Sequence, residues 1–204
     1  MKPLKILVLA GIVAIIALAA LLYFSIQPQE TPARPTRPAP YVDQVFTPSD
    51  TSKGELMAFV RKEPSIIGMS VVSLSIVANK RVTTFFYSED INLQAAYQKY
   101  ENSRTSSPDI FTKNQEFNNR ISSIITGNFE CLPTKKIQLA TSWPIAEYAE
   151  TTCAISIPPV YSEGAELIGY FSFYVKTTLS LEERARLGRE AAAMSSTIYK
   201  RDIK

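Results

Sequence analysis

The sequence predicts an α+β fold in which a single N-terminal transmembrane helix is followed by a five-stranded, mainly antiparallel sheet with flanking helices. Three observations point there. Residues 6–26 carry no charge over 21 positions. Five later runs are rich in Val, Ile, Thr and aromatic residues, the composition of strands. Between and around those runs lie segments with helical spacing and recognisable caps. A chain of 204 residues supplies one ordinary core, not two.

The apolar run at 6–26 reaches about 30 Å as a helix, one bilayer core. Lys2 and Lys5 precede it, so residues 1–5 are expected in the cytoplasm and the bulk of the chain in the periplasm, tethered to the inner membrane. Ala17-Leu18-Ala19 also fits a secretory cleavage site, but the apolar run continues through Leu21, Leu22, Tyr23 and Phe24, which favours an uncleaved anchor. Ala10, Ala14 and Ala17 share one helix face, where small side chains would let two such helices approach closely. Residues 27–48 hold six prolines and read as an extended spacer; in the polyproline II form they reach roughly 70 Å at most. The folded domain is expected at 49–204.

Within that domain, Asp50 or Thr51 is expected to cap a short helix ending near Arg61, with Pro64 forbidding continuation. A hairpin follows, with strands at 69–77 and 81–87 about a turn at Ala78-Asn79-Lys80. Ser88 is read as the cap of a helix at 90–102, and Ser107-Pro108 as the opening of another that Gly127 stops. Three further strands are expected at 136–142, 151–157 and 167–177. Ser180 with Glu183 forms a capping box for the last helix, whose inner stripe reads Leu181, Ala185, Leu187, Ala191, Met194 and Ile198. That element order resembles the PAS and GAF sensor domains, a resemblance of outline that implies a sensing role.

Composition narrows the chemistry. There is no His, which removes imidazole bases, His-assisted nucleophiles and His metal ligands. Lys2 and Lys5 are the only charges in the first 26 residues, so the remainder carries 20 basic and 19 acidic side chains and argues against a nucleic-acid partner. The carboxylate pairs Glu147 with Glu150 and Glu163 with Glu166 read as solvated loop edges, and Lys135 with Lys136 as surface. No phosphate-binding glycine loop, catalytic constellation, cofactor motif or metal set is present in the sequence, so no enzyme is expected. Cys131 and Cys153 are the only cysteines. In an exported domain they are expected to pair, with two buried free thiols or a redox pair as the alternatives; closing that loop is worth about 3 kcal/mol in the chain-entropy model.

The C-terminal third carries a second resemblance. Leu132-Pro133-Thr134-Lys135-Lys136, then Cys153 entering an extended segment, then Gly169-Tyr170-Phe171-Ser172-Phe173-Tyr174-Val175 and a closing Ala-rich helix together resemble the exported domain of the T-holin family of T-even-type bacteriophages. The resemblance implies a lysis protein that assembles with its own copies in the bilayer to release endolysin, its periplasmic domain regulated by an antiholin. It also implies a disulfide that uses Cys153, although Cys131 does not correspond to the family's second cysteine. Two other readings stand beside this one: an envelope interaction or assembly module, and a membrane-anchored ligand sensor acting through a partner protein.

The expected outcome of N-terminal mass analysis on the membrane fraction is an uncleaved chain. A mature protein beginning at Ala20 would replace the anchor with a secreted, freely diffusing domain.

Overall fold

The structure, a computed structural model, describes residues 45–141, 143–159 and 166–203. The expected span at 6–26, with Ala10, Ala14 and Ala17, lies outside them, as does the spacer up to residue 44. Among the described residues no helix is long and apolar enough to cross a membrane.

Helix α1 (Asp50–Lys62) is capped not by Asp50 or Thr51 but by Ser49, one residue earlier, whose hydroxyl accepts from the Ser52 amide. Strands β1 (Ile66–Ser75) and β2 (Lys80–Ser88) form the expected hairpin, with Asn79 at φ 52° in its turn. Helix α2 (Ile91–Ser103) is capped by Asp90, whose carboxylate accepts from the amides of Asn92 and Leu93. Ser88, the expected cap, instead donates to the Ile67 carbonyl and accepts from the Asp90 amide.

Helix α3 (Gln115–Ile125) begins well after Ser107-Pro108, capped by Asn114. The segment before it is drawn onto the hairpin turn: Ile110 and Phe111 donate to Asn79, and Arg81 donates to the Pro108 carbonyl. Those contacts use the backbone groups a helix would need. Gly127 ends α3 at φ 94°, where a Cβ would fall 2.2 Å from the Pro159 carbonyl oxygen.

The largest correction concerns residues 136–142. They are not a strand. The third strand is β3 (Glu130–Pro133), and helix α4 (Thr134–Thr141) follows it directly. Ile137 and Leu139 alternate as a strand would, but Leu139 is 82% exposed while Ile137 is buried with Ala140 packed beside it, the spacing of a helix. After a short 3₁₀ turn, β4 (Thr151–Ile157) and β5 (Gly169–Val175) complete the sheet, and α5 (Leu181–Asp202) closes the domain with both bonds of the Ser180–Glu183 capping box formed. Leu181 does not join the inner stripe: it is 84% exposed, and Ser195 and Tyr199 are buried alongside Leu187, Ala191 and Ile198.

The strand order is β2-β1-β5-β4-β3, and every pairing is antiparallel. One face carries Met69, Val71, Ile155, Phe171, Phe173 and Val175 against α1 and α5, a dry core. The other carries Ser70, Val72, Thr152, Tyr170, Ser172 and Tyr174 beneath α2, α3, α4 and Trp143. Phe46 also packs into the dry core and its amide donates to Ser73 Oγ at 2.9 Å.

Two links staple the edges. Cys131 and Cys153 lie directly opposite in the β3–β4 ladder and form a disulfide, with Cα atoms 4.0 Å apart. Glu63, buried at the end of α1, takes both forks of the Arg186 guanidinium on α5 at 2.9 and 2.6 Å.

Replacing both cysteines by Ala is expected to lower the unfolding free energy by about 3 kcal/mol in urea titrations, since a loop of this length then regains its unfolded-state freedom. The Glu63 pair gives a pH signature. Arg186 holds the Glu63 carboxyl below its ordinary value of about 4.5, so this contribution is complete above that pH and is lost as pH falls through the lower folded value. Acid unfolding of Glu63→Gln, followed by far-UV circular dichroism, is expected to be flatter below about pH 4.5 than that of the parent.

Candidate functional site

The sheet's second face does not close into a solid core. Along β5, Tyr170, Ser172 and Tyr174 alternate with Phe171, Phe173 and Val175, so the strand's period of two gives one face hydroxyls and the other hydrocarbon. Beneath the hydroxyl face lies a cavity of about 70 Å³. Its floor is Ser70, Val72, Thr152, Tyr170, Ser172 and Tyr174; its walls come from the start of β2, from α2, α3 and α4, and from Trp143.

The aromatic wall is built by packing. Phe86 stacks on Tyr97 at 3.9 Å between ring centroids, and Trp143 meets Tyr174 edge-on at 4.8 Å and Tyr97 at 5.8 Å. Tyr100 donates its hydroxyl to the Thr141 carbonyl at 3.0 Å, tying α2 to the end of α4 across the cavity. Burial pushes the phenols of Tyr97 and Tyr174 well above their ordinary value, so both stay protonated at any ordinary pH and serve as hydrogen-bonding groups, not bases. The Tyr174 hydroxyl bonds Ser70 Oγ at 2.8 Å. Trp143 Nε1 is buried without a partner.

Three guanidinium groups line the same cavity, Arg104 at the rim and two that are buried. Arg120, 5% exposed, rises from α3 and donates from Nη2 to the Thr152 carbonyl at 3.2 Å, while its Nε has no partner. Burial lowers its pKa to about 10, so it keeps its charge at neutral pH. Arg81, 7% exposed, comes from the start of β2 and lies over the Phe117 ring, 4.7 Å from its centroid. Among the described residues neither forms an ion pair. The rim carboxylate Glu101 is bonded to Arg104, and Glu130 accepts from Ser123 Oγ.

Of the residues singled out in the sequence, Pro108 and, from the 169–175 run, Tyr170, Ser172 and Tyr174 line this cavity, whereas the two cysteines and the stretch from Leu132 to Lys136 do not. Cys131 and Cys153 are joined on the dry-core side of β3 and β4. The stretch Leu132 to Lys136 turns β3 into α4: Leu132 packs against the core under α3, Thr134 Oγ1 bonds Thr152 Oγ1 at 3.0 Å, Lys136 pairs with Glu116 and Lys135 is exposed. The cavity's own residues left one readable trace. In α3 the buried positions are Phe117, Arg120, Ile121 and Ile124, an apolar stripe with an arginine inside it.

No protein-family model and no curated protein matches the chain. Among solved structures, the GAF domain of a two-component sensor histidine kinase from Bacillus halodurans is similar in outline, at 13% identity and a TM-score of 0.48, over 74% of this chain and 93% of that one. At that distance the likeness supplies no residue and no ligand.

Proposed function

We propose that this chain is a ligand-binding sensory module whose site is the cavity between the hydroxyl face of the sheet and helices α2, α3 and α4. The observation that carries the reading is the composition of that face. Positions that would hold aliphatic side chains in a closed core hold Ser70, Thr152, Ser172 and Tyr174 around a half-open space. Buried hydroxyls are costly unless bonded, and a convergent set of them around a cavity is the usual arrangement of a small-molecule site. The role is binding, not turnover, with the output passed to a partner protein.

The extracytoplasmic location belongs to the same proposal. It is supported by the Cys131–Cys153 disulfide, since such bonds persist in oxidising compartments. The inner-membrane tether at 6–26 remains an expectation from the sequence. The lysis reading has its working part in that helix, outside the described residues, and its motif from Leu132 to Lys136 has a structural role at the β3–α4 junction. No contact in the domain favours it.

Native mass spectrometry of the full-length chain purified in detergent is expected to reveal a bound small molecule, or to capture one from a metabolite extract. Ser172→Leu, which fills the cavity from its floor, is expected to abolish that adduct while leaving the circular dichroism unchanged. A folded chain that captures nothing, or whose adduct survives Ser172→Leu, would overturn the assignment.

A further inference from the structure

We propose that the ligand is a small oxyanion, a carboxylate or a phosphate- or sulfate-like group, held between Arg81 and Arg120. The inference rests on the cavity being the binding site and adds the chemical class of what it binds.

Charge is the first argument. Two guanidinium groups from different elements reach one half-open space, both more than nine-tenths buried, and neither forms an ion pair among the described residues. The Arg81 charge is felt at Arg120 as a repulsion. Purely structural buried arginines are paired with carboxylates, because an isolated buried charge is strongly disfavoured. Of the nearby carboxylates, Glu101 is paired with Arg104, and Glu130, whose charge is felt favourably at Arg120, accepts from Ser123 and forms no ion pair with either arginine. The missing counter-charge is what an anionic ligand would bring.

Geometry is the second. The Arg81 guanidinium lies over the Phe117 ring, 4.7 Å from its centroid, and among the described residues it makes no side-chain hydrogen bond, so its N–H groups remain for an acceptor. Arg120 commits one nitrogen to Thr152 and keeps an unmatched Nε–H. A guanidinium fork suits the paired oxygens of a carboxylate or phosphate, and Ser70, Ser172 and Tyr174 add neutral hydroxyls on the same floor.

Size is the third. The cavity measures about 70 Å³. An apolar cavity of roughly 150 Å³ accommodates benzene, so the part of a ligand seated inside this one is a group of a few heavy atoms, and anything larger extends through the opening. The aromatic wall of Tyr97, Tyr100 and Trp143 would cover a short carbon skeleton attached to the anionic group.

The test uses the full-length chain in detergent, with thermal shift and isothermal titration against four probes: acetate, inorganic phosphate, sulfate, and the neutral isostere acetamide. The expected result is an unfolding midpoint that climbs with the concentration of at least one anion and ignores acetamide. Acetate against phosphate and sulfate separates a carboxylate ligand from an inorganic-type oxyanion. Arg81→Gln and Arg120→Gln are each expected to weaken anion binding about tenfold or more, the size of one lost charged hydrogen-bond partner. Should Arg120→Gln fail to fold, Arg81→Gln decides.

Equal response to acetamide and to the anions, abolished by Ser172→Leu but untouched by Arg81→Gln, would overturn the anion assignment and leave the cavity in place. Anion binding that survives Arg81→Gln and Ser172→Leu alike would move the anion elsewhere and overturn this inference. No response to any anion, with a neutral metabolite captured in the cavity, overturns it as well.

Discussion

Strand β5 lies between β1 and β4, and all seven of its residues are buried. A central strand without a solvent side must be covered on both faces, which fixes a helix layer above and below the sheet. The two covers are not equivalent, because neighbouring residues of β5 belong to different chemistries. Phe171, Phe173 and Val175 meet α1 and α5 and exclude water by close packing. Tyr170, Ser172 and Tyr174 carry hydroxyls, of which that of Tyr174 is matched by Ser70, and the opposite cover leaves a space above them. Fold and site therefore follow from one alternation.

A bulge in β2 extends that alternation to the sheet's edge. A regular strand from Arg81 would carry Thr83, Phe85 and Tyr87 on one face. In the β1–β2 ladder Val72 opposes Thr83 while Val71 opposes Phe85, leaving Thr84 as the extra residue. Beyond it the faces exchange. Phe85 and Tyr87 pack against the dry core, and Phe86 joins the aromatic wall on the side of Arg81 and Thr83. Thr84 Oγ1, at the inserted residue, is left buried without a partner. One irregular residue thus brings Arg81, which lines the cavity, and Phe86, which packs behind its aromatic wall, to the same side of the sheet.

These details explain what could be read from the sequence. Caps and turns are local chemistry, so the Ser180–Glu183 box, the hairpin about Asn79 and the stop at Gly127 were legible from a few residues each. The cysteine pairing was legible from redox reasoning. Helix α4 was not, because eight residues offer one buried apolar side chain, Ile137, and period cannot be judged from a single point. Arg81 was hidden by the bulge, which no spacing rule anticipates. Arg120 stood in plain view inside the stripe of α3, but a lone arginine on an apolar face reads as a snorkelling side chain until its burial is known. The resemblance over the C-terminal third drew attention to a junction whose contacts are structural.

The two faces also divide the energetics. Phe171 and Phe173 each contribute about 1.5–3 kcal/mol by burial, whereas a buried charge deprived of its partner destabilises by about 3–5 kcal/mol. A site with Arg120 in that condition needs support from outside itself. It receives it through β4, where Thr152 faces the cavity and Cys153 faces the dry core. The Thr152 carbonyl accepts from Arg120 and its hydroxyl bonds Thr134, while the next residue is clamped to Cys131 by the disulfide. The covalent link on the dry side therefore holds in register the strand that supplies the arginine's fixed acceptor on the polar side. The polar face with its buried arginine persists because the close-packed one is made of the same strands.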